Sequence, residues 1–193
     1  MTKTQLTPAE EEYLEALYWA GEREVKISEL AKRLRVRPPS VVQMVHRLVE
    51  HGLITHSREG VSLTPRGRSM AVKIVRRHQL AERLLSDVLS YNLPKIHDLA
   101  CKLEHAMDEE LVKKLEKLLD YPDVCPHGEP IPDSKGRKVE FQTKKLSDVE
   151  EGKEVVVTRI PEERQVVARL LSLNILPGSR LRVLHRLPGG ATM

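Results

Sequence analysis

Aromatic side chains are scarce in this sequence: one Phe, one Trp and four Tyr among 193 residues, 3% in all. Any core it builds must be aliphatic, drawn from the 40% of residues that are hydrophobic. Cysteine is rarer still. Two residues, Cys101 and Cys125, cannot make a disulfide framework, and one of them falls among other donor side chains. Long apolar runs are missing too, since none approaches the roughly 20 residues that a membrane-spanning helix needs. The first residues lack the basic-then-apolar order of a secretory signal. These absences lead us to expect a cytoplasmic chain with no membrane partner, with room for one large domain or two to three small ones.

Charge is plentiful, at 31% of residues, but unevenly placed. Between Arg23 and Arg77 thirteen Lys/Arg face four Glu and no Asp, a local +9 in a chain whose total is +4, so the remainder carries −5. A local excess of that size suits a polyanionic partner, although charge alone says nothing about fold.

Local signals divide the chain. Thr7-Pro8-Ala9-Glu10 is a helix start, with Thr as N-cap, Pro in the first turn and Glu placed for a capping box. Ser28 is placed to cap a short helix from Glu29 to Leu34. Arg35-Val36-Arg37-Pro38-Pro39 breaks the chain, and Val41, Val42, Val45, Leu48 and Val49 then stripe a new helix that Gly52 ends. Leu53 to His56 and Val61 to Thr64 read as two short strands. Helix, helix, turn, helix and hairpin is the order of a winged helix-turn-helix. Thr64-Pro65 opens a long helix to about Leu89, and two more follow, Pro94 to Met107 and Asp108 to Leu119. Residues 121–138, rich in Pro, Gly and Asp, read as a linker. Beyond it come a strand at Val155 to Val157, a short helix from Glu162 to Leu173 and a strand at Leu181 to Leu184. About fifty residues leave little core, so a small β-barrel, cut short or poorly ordered at its end, is expected there.

Two stretches carry the chemistry: His78-x-x-x-Glu82 and His97-x-x-x-Cys101-x-x-Glu104-His105. Residues three and four apart share a helix face, so each stretch can aim its donors into one small volume. Imidazole, thiolate and carboxylate together suit a transition metal rather than calcium or magnesium. Taken singly, each residue has a plainer reading. Cys101 could be a small buried hydrophobe, and Glu12 and Glu15 could simply favour a helix N-terminus. His51, His56 and His185 read as surface residues, and Cys125 and His127 as parts of a Pro/Gly-rich loop.

The winged module has its own chemistry. Its second motif helix, starting near Pro39, is the one that enters a major groove. Ser40, Gln43 and Arg47 can share its outward face, where Gln pairs with adenine, Ser reads either base class and Arg takes guanine or phosphate. Lys32, Arg33, Arg35 and Arg37 surround the turn and suit phosphates, and Arg58 at the hairpin tip suits the backbone or minor groove. The expected partner is double-stranded DNA.

Several segments together resemble the diphtheria toxin repressor family of iron- and manganese-responsive regulators. They are Glu12-Tyr13-Leu14-Glu15, Pro39-Ser40-Val41-Val42-Gln43, residues 78–85 (His78 to Leu85), Cys101-Lys102-Leu103-Glu104-His105, and the segment from Pro126-His127-Gly128 to Pro132. The resemblance implies a mainly α fold with small β elements in three parts. These are a winged-helix DNA-binding domain over 1–73, a helical dimerisation and metal-binding domain with its linker over 74–140, and an incomplete SH3-like domain over 141–193. It also implies an ancillary site of His78, Glu82 and His97, completed by Glu163. The amide expected beside it falls on Val166, a departure that makes Gln165 the substitute candidate. A regulatory site would comprise Cys101, Glu104 and His105, closed by Glu12, with Glu15 as a further oxygen donor.

Cys101 follows the iron-type pattern and Glu12 the manganese-type, so Fe²⁺ is expected with Mn²⁺ next, and Zn²⁺ or Co²⁺ can occupy the sites in vitro. The function implied is a repressor that binds palindromic operator DNA as a homodimer when metal is bound, controlling metal homeostasis. A manganese-specific regulator is one alternative. A metalloenzyme is the other, but no His-Glu-x-x-His or nucleophile motif supports it.

Overall fold

The computed structural model describes residues 6–185, which form two compact units. The first takes in the chain up to Arg77, with Glu104–Ala106 and Pro132–Arg137; the second takes in His78–Leu103, Met107–Ile131 and the chain from Lys138 onward. The end of the last domain, residues 186–193, lies outside the described residues.

In the first unit, α1 (Pro8–Trp19) starts at the expected capping box: Thr7 accepts from Glu10 N–H, and Glu10 accepts from Thr7 N–H. It buries Tyr13, Leu14, Leu17 and Tyr18. α2 (Ile27–Arg33) begins earlier than the sequence suggests, and Ser28 lies inside it rather than capping it; the N-cap is Lys26, with no side-chain bond. Tertiary pairing sets that start. Val25 and Val61 exchange backbone hydrogen bonds of 2.9 Å, which fixes where the chain leaves its extended form. α3 (Pro38–Glu50) buries Val41, Val45 and Leu48, and Gly52, at φ 68°, follows its end. β1 (Ile54–His56) and β2 (Val61–Leu63) pair antiparallel with Ile54 opposite Leu63. The aliphatic core joins α1, α2, α3, the hairpin and the start of α4 (Pro65–Arg83).

The second unit begins in the last turns of α4. A wider π-type turn, Leu84–Val88, follows it where the sequence suggested one unbroken helix to Leu89. α5 (Leu93–Leu103) and α6 (Glu109–Leu118) come next, the latter capped by Asp108 accepting from Leu111 N–H at 2.8 Å. Leu80, Leu85, Ile96, Ala100, Met107 and Leu115 form the core. β3 (Glu154–Val156) pairs antiparallel with β4 (Arg180–Arg182), and α7 (Arg164–Ser172) lies between them in sequence and packs on α5.

The expected linker is not a free tether here. Val124 bridges Pro130, Cys125 N–H donates to Glu129 O at 2.8 Å, and Ile160 N–H donates to His127 O at 3.0 Å. Gly128 makes that last contact possible: at φ 88° it lies so close to Thr158 that a Cβ would fall 1.9 Å from the Thr158 carbonyl oxygen.

Candidate metal centres

Donor side chains gather in both units. In the second unit they gather around Glu82. His78 and Glu82 are one turn apart near the end of α4, α5 presents His97, and the buried loop presents Cys125 and His127. Glu82 Oε1 lies 3.3 Å from His78 Nε2, 3.7 Å from His97 Nδ1 and 3.2 Å from His127 Nδ1. Glu162, in the extended approach to α7, brings Oε2 to 3.4 Å from His97 Nδ1. His78, His97 and Cys101 make one ligand set; Glu82 joins two more, His78/Glu82/His97/Glu162 and Glu82/Cys125/His127/Glu162, and in each set the donors lie within 4.8 Å of one another. Glu82 and Glu162 belong to both of the latter.

Two corrections follow for the expected ancillary set. The carboxylate that reaches His97 is Glu162, not Glu163, because α7 starts at Arg164 and Glu163 is its exposed N-cap. Gln165, inside α7, is exposed. His127 and Cys125, which read as loop residues, are both buried against the cluster.

The electrostatics are those of a cation site. Burial opposes ionisation of Glu82, yet the nearby imidazoles of His127, His78 and His97 hold its carboxyl well below the usual range. Cys101 and then Glu82 push His97 up to about 10. Cys101 Sγ lies 3.7 Å from His97 Nε2 and 3.9 Å from His78 Nδ1. Burial raises the Cys101 thiol, but these imidazoles bring it below its ordinary value. Burial and the Glu82 charge push Cys125 well above its ordinary value and raise Glu162.

Both oxygens of Glu82 and both ring nitrogens of His127 are buried without a well-formed hydrogen bond. Leaving such groups unsatisfied costs about 1–3 kcal/mol each, more for charged ones. A divalent transition metal fits: donors 3.2 to 3.7 Å apart suit bonds of about 2.0–2.2 Å to imidazole and carboxylate. With Cys125 added the set is borderline-soft, suited to iron, zinc or cobalt as well as manganese.

The first unit holds a smaller, harder set. A tight 3₁₀ turn, Glu104–Ala106, replaces the expected continuation of the preceding helix and sets Glu104 beside His105. His105 Nε2 lies 3.6 Å from Glu104 Oε1 and 3.8 Å from Glu12 Oε1 on α1. Glu104 is fully buried and Glu12 half-exposed, so one side of the set opens toward solvent. Glu11, which the sequence gave no reason to single out, holds the other ring nitrogen: its Oε2 lies 2.7 Å from His105 Nδ1. Glu15 is half-buried and accepts from the Trp19 indole N–H at 3.3 Å.

The DNA-reading candidates Arg37, Pro39, Ser40, Gln43, Arg47 and Arg58 are all exposed. Arg47 is also tethered, its Nε 3.0 Å from Oε1 of the buried Glu10. His51, read as a free surface residue, approaches the same oxygen at 3.4 Å. The signal for Glu10 was present in the capping box; its second use was not, because it depends on how α1 packs on α3.

Comparison with known proteins finds matches to three stretches of the chain. The family described as "Iron dependent repressor, N-terminal DNA binding domain" matches residues 5–61. "Iron dependent repressor, metal binding and dimerisation domain" matches 64–133, and the FeoA domain matches 144–193. The chain is 38% identical to the diphtheria toxin repressor of Corynebacterium glutamicum over 130 residues, 66% of this chain and 57% of that protein. It thus spans little more than half the length of that relative. The iron-dependent repressor IdeR of Mycobacterium tuberculosis is 31% identical over 205 residues, 98% of this chain and 89% of its own. Among solved structures, a manganese-dependent transcriptional repressor in complex with manganese superposes with a TM-score of 0.86 at 34% identity, covering 92% of this chain and 84% of that one. These relatives are transcriptional repressors, not enzymes. The chain belongs to the iron-dependent repressor family.

Proposed function

We propose that this chain is a metal-responsive transcriptional repressor, acting in the cytoplasm as a homodimer on palindromic operator DNA and using Fe²⁺ or Mn²⁺ as its signal. One observation carries the reading. Glu12 sits on α1, a helix packed in the same core as α3, and its carboxylate approaches His105, which in turn lies beside Glu104. Ligation there ties the position of a DNA-binding helix to the presence of a cation. Bound metal would supply a fixed positive charge that holds these three side chains together.

The residues then divide the work. Glu12, Glu104 and His105 form the regulatory set, and Cys101, expected among them, faces His78 and His97 instead. Glu82, His78, His97, Cys125, His127 and Glu162 form the supporting centre. Ser40, Gln43 and Arg47 read bases, while Arg37 and Arg58 hold phosphates. Exposed Leu111, Leu118 and Tyr121 at α6 supply an apolar face for a second copy. A dimer must set its recognition helices about 34 Å apart to meet successive major grooves. The cation favours that arrangement only as far as it binds it better than the alternative, and ~1–3 kcal/mol of coupling changes DNA affinity roughly 5–150-fold.

A manganese-selective regulator is the second reading. The Cys101 sulfur lies against His78 and His97, and the donors around His105 are oxygen and nitrogen, a hard set. Anaerobic mobility-shift titrations with iron, manganese, zinc, cobalt and a chelator test both. We expect retardation of a palindromic operator only with metal, and its loss in Glu104→Gln; metal-independent retardation contradicts the proposal.

A further inference from the structure

Three consecutive glutamates near the start of α1 have three different destinations. Glu10 reaches α3 and Glu12 faces the regulatory donors. Glu11 lies between them with both oxygens engaged. Its Oε2 is 2.7 Å from His105 Nδ1 and its Oε1 is 2.6 Å from an Arg77 terminal nitrogen. The contact is sheltered, with side chains of Glu11, His105 and Arg77 only 12%, 14% and 18% exposed.

An imidazole nitrogen held against a carboxylate carries the ring proton, since the carboxylate can only accept. In the neutral ring Nδ1 of His105 is then the donor and Nε2 keeps its lone pair. That is the nitrogen facing Glu104 and Glu12. Left to itself, a histidine in water populates both tautomers and turns freely about its side-chain bonds; here one tautomer and one ring orientation are selected. The Arg77 guanidinium matters as much as the imidazole. By engaging Oε1 it keeps the Glu11 carboxylate turned toward Nδ1 and out of the set formed by its neighbour Glu12.

We infer that Glu11, clamped by Arg77, is a positioning residue that presents His105 Nε2 to the regulatory metal without ligating it. The inference rests on reading Glu12, Glu104 and His105 as that metal's ligands. Partners of this kind beyond the ligand shell are worth about 10–100-fold in metal affinity. They act by fixing ring orientation and by raising the donor strength of the ligating nitrogen.

The test uses the full chain with ¹⁵N-labelled histidine rings. Ring nitrogen shifts report which atom of His105 carries the proton, and, in a Glu82→Gln background that disables the other centre, Mn²⁺ broadening of the His105 resonance reports binding beside that residue. Wild type should show the Nδ1–H form. Glu11→Ala should lose that preference and need 10–100-fold more Mn²⁺ for half-broadening, whereas Glu11→Gln, which keeps an acceptor oxygen, should recover part of both. Glu12→Gln tests the underlying site. If Glu12→Gln weakens Mn²⁺ binding and Glu11→Ala leaves tautomer and titration unchanged, the positioning role is wrong and the site stands. If neither variant alters the titration, both fall. A lower melting temperature for Glu11→Ala with wild-type tautomer and titration also overturns the inference, since that is a structural role alone.

Discussion

Glu82 gains its meaning from what surrounds it: a buried carboxylate facing imidazoles from an adjacent helix turn, a second helix and a loop. Spacing made His78, Glu82 and His97 legible in the sequence, because i to i+4 pairs on one helix must share a face. His127 and Glu162 were not legible in that way. The first comes from a Pro/Gly-rich loop, the second from the residue beside the expected one, and only packing brings either to Glu82. Their protonation supplies a prediction. At pH 7 His97, with its pKa at about 10, holds a proton, and Cys125, pushed well above its ordinary value of 9.0, is a thiol. Each must lose that proton to bind metal, so loading the Glu82 centre should release about two protons. Metal affinity should therefore rise with pH. Without metal the sign reverses. His97, raised above its ordinary 6.5, stabilises the fold fully below 6.5, and that contribution disappears as pH rises through about 10. Titration calorimetry in buffers of different ionisation enthalpy counts the protons; a count of zero contradicts this assignment.

At the scale of elements, helix starts were written locally and turns were not. The Thr7–Glu10 capping box and the prolines at the start of α3 set those helices where the sequence placed them. Ser28 failed as a cap because Val25 pairs with Val61, a contact across 36 positions that no local pattern carries. The loop from Cys125 to Ile131 shows the same limit in reverse. Its composition reads as a linker, yet Gly128 lets it close on Thr158 and bury two donors. Replacing Gly128 with Ala should therefore do more than add strain. A non-glycine residue at φ 88° costs about 1–3 kcal/mol by itself, and the Cβ clash should lift the loop from Thr158, taking His127 and Cys125 out of the centre. Denaturant unfolding with and without metal separates the effects. Gly128→Ala should lose most of the metal-induced stabilisation, and a variant stabilised by metal as much as wild type contradicts the loop's role.

For the whole molecule, charge asymmetry and motif order pointed to a winged helix beside a metal-binding helical region, and the family comparisons bear this out. What the sequence left open was how the two activities connect. A glutamate on α1 lying beside His105, one residue from Glu11 and two from Glu10, gives that connection a place in the first unit. Glu10 fixes Arg47 on α3, while Glu12 and His105 face the position proposed for the cation, so in that proposal one helix turn serves both ligands. Coupling of this kind is reciprocal: DNA must tighten metal as much as metal tightens DNA. The most direct measurement is a Mn²⁺ titration of the full chain, with and without saturating palindromic operator. The account predicts metal affinity roughly 5–150-fold higher with DNA, and no such gain in His105→Ala. Equal affinity with and without DNA in the wild type, or an undiminished gain in His105→Ala, would contradict it.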